Sequence, residues 1–267
     1  MKKLLFLLTT SMNLLVVSCY REEQPNLVWF DEFEGDKLDE TKWSAVIGNG
    51  CPQMCGFGNR ELQYYTDNPN NLKVKDGLLA ITATQDSIGE NGFQSAKLVT
   101  QGLASWKYGR FEIRAKVPPG KGNWPAFWML PEDNKYGGWP SSGEIDIMEH
   151  AGYHPNIVYG TVHTESFNHM KRTEDNDSLS IASLYEEFHV FTVEWSRDKI
   201  EWFIDDKKYH TFFNRKNDNP NEWPFDQPFY LILNLAIGGS WGGKYGIAND
   251  IFPNRMEIDY VRIYAID

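Results

Sequence analysis

Cysteine is nearly absent from this sequence: Cys19, Cys51 and Cys55 are the only three in 267 residues. No second Cys/His pair at ligand spacing accompanies Cys51 and Cys55, so a zinc module has no support. Basic residues are also short, 26 Lys and Arg against 37 Asp and Glu, a net charge of −11. That balance argues against a nucleic-acid partner, which wants a basic footprint. No long amphipathic helical pattern, heptad or repeat at solenoid or propeller spacing is present. Long apolar runs are missing too, apart from Leu4 to Val17, which Thr9, Thr10, Ser11 and Asn13 interrupt. That run is too short and too polar for a membrane-spanning helix.

What stands at the start has the pattern expected of a secretion signal. Lys2 and Lys3 precede the apolar run, and small Ser18 and Cys19 follow it. Leu15-Val16-Val17-Ser18-Cys19 resembles a bacterial lipobox, in which the cysteine is acylated and becomes the mature N-terminus. Residues 1–19 are therefore expected to be a lipoprotein signal peptide ending at a lipidated Cys19, and 20–26 a polar tether. The expected location is outside the cytoplasm, anchored to the outer membrane, with Arg21-Glu22-Glu23 hinting at surface exposure. Cys51 and Cys55 fit a small loop disulfide or two free thiols equally well.

The rest reads as strands. Arg110 to Val117 alternates cleanly and ends at Pro118-Pro119, while Asp76-Gly77 marks a hairpin between two runs from Asn71 to Thr84. Asn59 to Thr66, Val158 to Thr164, Phe188 to Trp195, Lys199 to Ile204 and Met256 to Ile266 also carry strand patterns. Phe229 to Ile237 is a continuous apolar run, and Lys171 to Ser183 reads as a polar surface loop. Many strands with Gly/Pro turns and no dividing linker predict one all-β domain over 27–267, a sandwich or barrel. With 10 Trp, 13 Tyr and 16 Phe it can bury a sizeable core.

The stretch with chemistry is Gly143-Glu144-Ile145-Asp146-Ile147-Met148-Glu149-His150. Acid and apolar residues alternate at first, which puts Glu144 and Asp146 on one face of a strand. Strict alternation would then drive Glu149 into the core, where an unpaired carboxylate costs several kcal/mol. A β-bulge around Ile147–Met148 returns Glu149 to the acidic face. Glu144 and Glu149 are then four strand steps apart, roughly 13 Å at about 3.3 Å per residue. Converging side chains can close that to roughly 5–6 Å between carboxyls, near the roughly 5–5.5 Å of retaining glycosidases and below the roughly 6.5–9.5 Å of inverting ones. His150, next in line, should point away from Glu149.

Trp124, Trp128, Trp139 and Trp241 are candidate sugar platforms, because a pyranose C–H face stacks on an aromatic ring. Period two puts Trp124 and Trp128 on one face. Trp195 and Trp202 fall in the core by alternation.

The acidic motif resembles the signature of glycoside hydrolase family 16, in its bulged, laminarinase-like branch of endo-glucanases. Asn59–Thr66, Tyr108–Glu112, Trp124–Leu130, Gly160–His163, Phe188–Trp195 and Met256–Tyr264 follow in the family's order. The resemblance implies a concanavalin A-like jelly-roll β-sandwich of two curved antiparallel sheets, with the acidic strand in an open cleft. It implies a retaining endo-β-glucanase acting on β-1,3 or mixed β-1,3/1,4-glucan, with Glu144 as nucleophile, Glu149 as acid/base and Asp146 tuning the site. Like-charge repulsion is expected to raise Glu149 into the range an acid needs. Asn59, Glu61 and Arg110 match polar cleft positions of the family, and His163 one near the reacting sugar. No cofactor is expected for catalysis. A structural Ca2+ is implied at the backbone carbonyls of Glu32 and Gly77 and the side chain of Asp259. The expected partners are a β-glucan and, through the lipid, a membrane; the chain is expected to be a monomer. A non-catalytic glucan-binding, lectin-like module and a same-fold enzyme acting on galactan or xyloglucan are the alternatives.

Overall fold

The computed structural model describes residues 26–85, 92–216 and 219–266. The expected signal peptide, the lipidated Cys19 and nearly all of the tether lie outside them. The described chain opens with β1 (Asn26–Asp31) and β2 (Ser44–Ala45), then a 3-10 turn at Cys55–Gly58 and β3 (Tyr64–Tyr65). The Asp76-Gly77 hairpin joins β4 (Leu72–Lys75) to β5 (Leu78–Gln85), with both turn residues at positive φ. Next come β6 (Phe93–Ser95), β7 (Lys97–Val99), β8 (Gly109–Lys116) and β9 (Asn123–Pro131). The acidic stretch is β10 (Glu144–Glu149), followed by β11 (Ile157–His163) and β12 (Asp175–Ser180). The chain continues through β13 (His189–Trp195), β14 (Lys199–Ile204) and β15 (Lys207–Phe213) to β16 (Phe229–Ile237) and β17 (Asn254–Ala265).

These strands form two sheets, the jelly-roll sandwich expected. The first runs β15-β14-β13-β8-β17-β5-β6-β3, with β1 also on β17 and β4 on β5; the second runs β12-β11-β10-β9-β16-β7-β2. Between them lies one main core, to which Phe111, Ile113, Phe191, Val193, Phe127 and Leu233 contribute. Each fully buried side chain of this size stabilises the fold by about 1.5–3 kcal/mol. Trp195 and Trp202 are in that core, as alternation implied.

Two segments differ from the sequence expectation, and one alternative left open by the sequence is resolved. Asp175–Ser180, inside the expected polar loop, is an edge strand paired along its whole length with β11. Of the Asn59–Thr66 stretch only Tyr64–Tyr65 is a strand, because Arg60 takes positive φ after the 3-10 turn. Cys51 and Cys55 are joined by a disulfide.

Arg110 requires a correction. Alternation along β8 buries Phe111 and Ile113 and turns Arg110 outward, but β8 belongs to the sheet opposite the acidic strand. There Arg110 pairs with Glu112 and Glu194 at 2.6 Å each and with Asp206 at 3.2 Å. It is a structural ion-pair hub, not a cleft residue. The residues of the implied calcium site lie on neighbouring strands or the turns beside them. β5 and β1 share one edge of β17, and Asp259 falls at their junction, between Ile258 opposite Leu79 and Val261 opposite Asp31. Both carboxylates there are already engaged, Asp259 by Arg114 and Glu32 by Arg262.

Candidate active site

β10 is a central strand of the seven-stranded sheet, and its pairing shows how the acids are aligned. Asp146 lies opposite Thr161 of β11 and Glu149 opposite Tyr159, three residues on one strand against two on the other. The same offset occurs against β9, where Asp146 faces Trp128 and Glu149 faces Ala126. The extra residue is a bulge at Ile147–Met148, as the sequence required. Ile147 and Met148 both enter the core, and Glu144, Asp146 and Glu149 share the opposite face. Trp202 of the other sheet donates its Nε1–H to the Asp146 carbonyl at 2.8 Å. It can come that close because Gly160 sits over it; a Cβ there would lie 2.4 Å from Trp202 Cδ1.

Each outer acid is held by an indole. Trp139 Nε1 donates to Glu144 Oε2 at 2.9 Å, and Trp124 Nε1 donates to Glu149 Oε1 at 3.0 Å. Trp139 comes from the β9–β10 loop, remains 39% exposed and packs against His163 and His169. Trp241, on the loop after β16, meets Trp124 and Tyr159 edge-on at 5.3 and 5.4 Å. Trp128 donates to Asn234 Oδ1 at 2.6 Å. Asn59 also lines the cleft, and its Nδ2 reaches toward Glu61 Oε1 at 3.5 Å. His163 sits directly opposite Glu144 on β11, with Nε2 3.4 Å from Asp146 Oδ2. His150 points away, its Nδ1 2.7 Å from the Ile157 carbonyl and its Nε2 beside Tyr185.

Two hollows, of about 380 and 420 Å³, meet at Glu144 and Glu149. One is floored by Trp128, Ala126 and Asn234 and walled by Phe57 and Met54; the other runs past Tyr159, Thr161 and Trp241. Several of these residues were not singled out from sequence. Asn234 did carry a signal, as the only amide in the apolar run of β16. Lys97, its ammonium 4.9 Å from the Phe57 ring centre and 4.8 Å from that of Trp128, carried none. Neither did His169.

Burial dominates the electrostatics. It pushes the Glu149 carboxyl up to about 7, against the Trp124 hydrogen bond, which favours the anion. This differs from the expected cause: desolvation, rather than a neighbouring charge, holds the proton on Glu149. Burial and then the charge of Glu149 push Glu144 up as well, while Trp139, Lys97 and a hydrogen bond from Asp146 act the other way. These three contacts favour the anion at Glu144, so Glu144 carries the charge when the pair holds one proton. Asp146 is raised well above the ordinary aspartate range by burial and by both glutamates, so it keeps its proton and donates to Glu144. The three titrate as a unit. His163 is lowered to about 3 by burial and by His169, which leaves its ring neutral.

These shifts carry a stability consequence. A carboxyl raised in the folded state binds its proton more tightly there than in the unfolded chain. Its contribution is fully present below the unfolded value of about 4.5 and is lost as pH rises through about 7–8. Glu144→Gln copies the protonated form and removes one charge. Its Tm should match wild type near pH 5 and exceed it at pH 8.5, by at least the ~2–4 °C that about 1 kcal/mol produces in a domain of this size. Calorimetry at the two pH values checks this, and a pH-independent difference would contradict it.

The geometry agrees with what comparison with known proteins finds. The family "Glycosyl hydrolases family 16" matches residues 59–262. The Beta-glucanase of Rhodothermus marinus is 44% identical over 275 residues, covering 99% of this chain and 94% of that protein. Glucan endo-1,3-beta-glucosidase A1 of Niallia circulans is 42% identical over 90% of this chain and 38% of its own longer one. The X-ray structure of the laminarinase from Rhodothermus marinus superposes with a TM-score of 0.88 at 45% identity, over 92% of this chain and all of that one. Fold, acidic strand and sequence together make this chain a member of glycosyl hydrolases family 16.

Proposed function

We propose that this chain is a retaining endo-acting β-glucanase that cleaves β-1,3 or mixed β-1,3/1,4-glucan by double displacement. The observation that carries the reading is the bulged strand that turns Glu144, Asp146 and Glu149 onto one cleft face, each outer acid held by an indole. Glu144 is the nucleophile. Trp139 holds its Oε2, and the protonated Asp146 donates to it, so the carboxylate is aimed and its charge stabilised. Glu149, kept protonated by burial, gives its proton to the leaving glycosidic oxygen as Glu144 attacks the anomeric carbon. The glycosyl ester that results has consumed the Glu144 charge. Glu149, now anionic, takes a proton from water, which displaces Glu144 with net retention.

Binding space on both sides of the acid pair supports cutting within a chain, and the aromatic lining suits the apolar faces of glucose units. The named relatives' activity on β-glucan supplies the substrate class. A binding module has no use for three acidic groups buried together on one cleft face, so the lectin-like alternative is disfavoured. The decisive test is proton NMR of the first products from laminarin and cereal β-glucan. The initial anomer should be β, with Glu144→Gln slowed by at least ~10³-fold. An initial α anomer, or no new reducing ends from either glucan, sinks the reading.

The finer features rest on sequence. The reading includes a lipoprotein signal over residues 1–19, acylation at Cys19, a tether through residue 26, a single catalytic domain over 27–267 and a monomer exported to the outer membrane. Cys19→Ser should move the protein from the detergent-soluble membrane fraction to the soluble fraction, and unchanged membrane association counts against the anchor. A structural calcium ion is also part of the reading, taken by the Glu32 and Gly77 carbonyls and the Asp259 oxygen that Arg114 leaves. EDTA should then lower the Tm and added Ca2+ restore it in wild type, with no response in Asp259→Asn; a flat Tm in wild type rules the ion out.

A further inference from the structure

His163 performs none of the steps above, yet it is buried against the acids. The residue is 6% exposed and Asp146 2%. Its Nε2 lies 3.4 Å from Asp146 Oδ2 and 3.7 Å from Glu144 Oε1. Neither contact is short enough for an ordinary hydrogen bond. Asp146 Oδ2 and His163 Nδ1 are buried with no hydrogen-bond partner among the described residues. The open Asp146 oxygen faces His163 Nε2, and a buried polar atom of this kind calls for a partner that the described residues do not supply.

The spacing suits a particular class of ion. One donor atom from each of Glu144, Asp146 and His163 lies within 4.8 Å of the others. A tetrahedral Zn2+ with bonds of about 2.0–2.1 Å holds its ligand atoms about 3.3–3.4 Å apart. Two of the three edges, at 3.4 and 3.7 Å, are close to that spacing, and the third, between Glu144 and Asp146, is within 4.8 Å. Three protein donors leave a fourth position facing the cleft, for water or a sugar hydroxyl. The nitrogen donor disfavours Ca2+ and Mg2+, which take oxygen shells.

We propose that Glu144, Asp146 and His163 form a binding site for a borderline divalent cation of the zinc class, and that the bound ion shuts the active site. Coordination takes an oxygen of Glu144 that would otherwise attack, and the ion occupies space beside it. The binding half stands on geometry alone; the inhibitory half rests on the catalytic reading above.

Calorimetric titration of the untagged full chain with ZnCl2 in a non-coordinating buffer tests the site directly. One equivalent should bind to wild type and remain bound in excess Ca2+. His163→Gln and Asp146→Asn should each weaken it by at least about tenfold, with folding verified by circular dichroism, whereas His154→Gln should bind like wild type. Zinc should inhibit glucan hydrolysis over the same concentration range, competitively with substrate. Absence of saturable binding, equal affinity in His163→Gln, or full hydrolysis by the zinc-loaded protein overturns the proposal. Should the chain prove to lack glucanase activity, the binding titrations still decide the site by themselves.

Discussion

The bulge at Ile147–Met148 is the constraint on which the active site depends. A regular strand would bury Glu149; the bulge instead sends two consecutive apolar side chains, 1% and 0% exposed, into the core. The Asp146 carbonyl beside the bulge finds its partner on the opposite sheet, the indole of Trp202. Trp202 fits beneath β10 and β11 because position 160 carries no side chain. The acids are thus positioned by contacts on the face of the sheet they do not occupy.

Charge is segregated between the two sheets. On the outer face of the ten-stranded sheet Arg110, Arg114 and Lys116 pair with Glu112, Asp259 and Glu257. Such partly exposed pairs contribute about 0–1 kcal/mol each and mainly neutralise the surface. In the cleft the acids meet indoles, a neutral histidine and one another. An arginine bound directly to Glu149 would stabilise its anion and deprive the site of its proton. Lys97, held between two aromatic rings, lends positive charge to Glu144.

Trp124 links two tasks in one side chain. Its nitrogen steadies Glu149 while its ring packs edge-on against Trp241, which in turn meets Tyr159. The surface on which a sugar would lie and the proton affinity of the acid are therefore coupled through a single indole. Glu61 plays a quieter part at the other side, accepting from Gln63 at 2.7 Å and Tyr65 at 3.3 Å, and so anchors the segment that presents Asn59.

Local periodicity made much of this legible. β8, β13 and β14 each meet the core with one face, so their side chains alternate. The bulge was readable because the alternative buried a carboxylate. β12, Asp-Asn-Asp-Ser-Leu-Ser, was not, since an edge strand wet on both faces has no alternation and owes its form to the ladder with β11. Arg110 shows the boundary most clearly: its outward orientation was evident, but the sheet whose outside it faced was not. Sequence alone determined the acid cluster, its single face and the aromatic supply, because pleat and bulge are properties of one strand. Only the tertiary structure decided that Lys97, His169 and Asn234 join the site while Arg110 leaves it, because a strand's place in a sheet is set by partners distant in the chain.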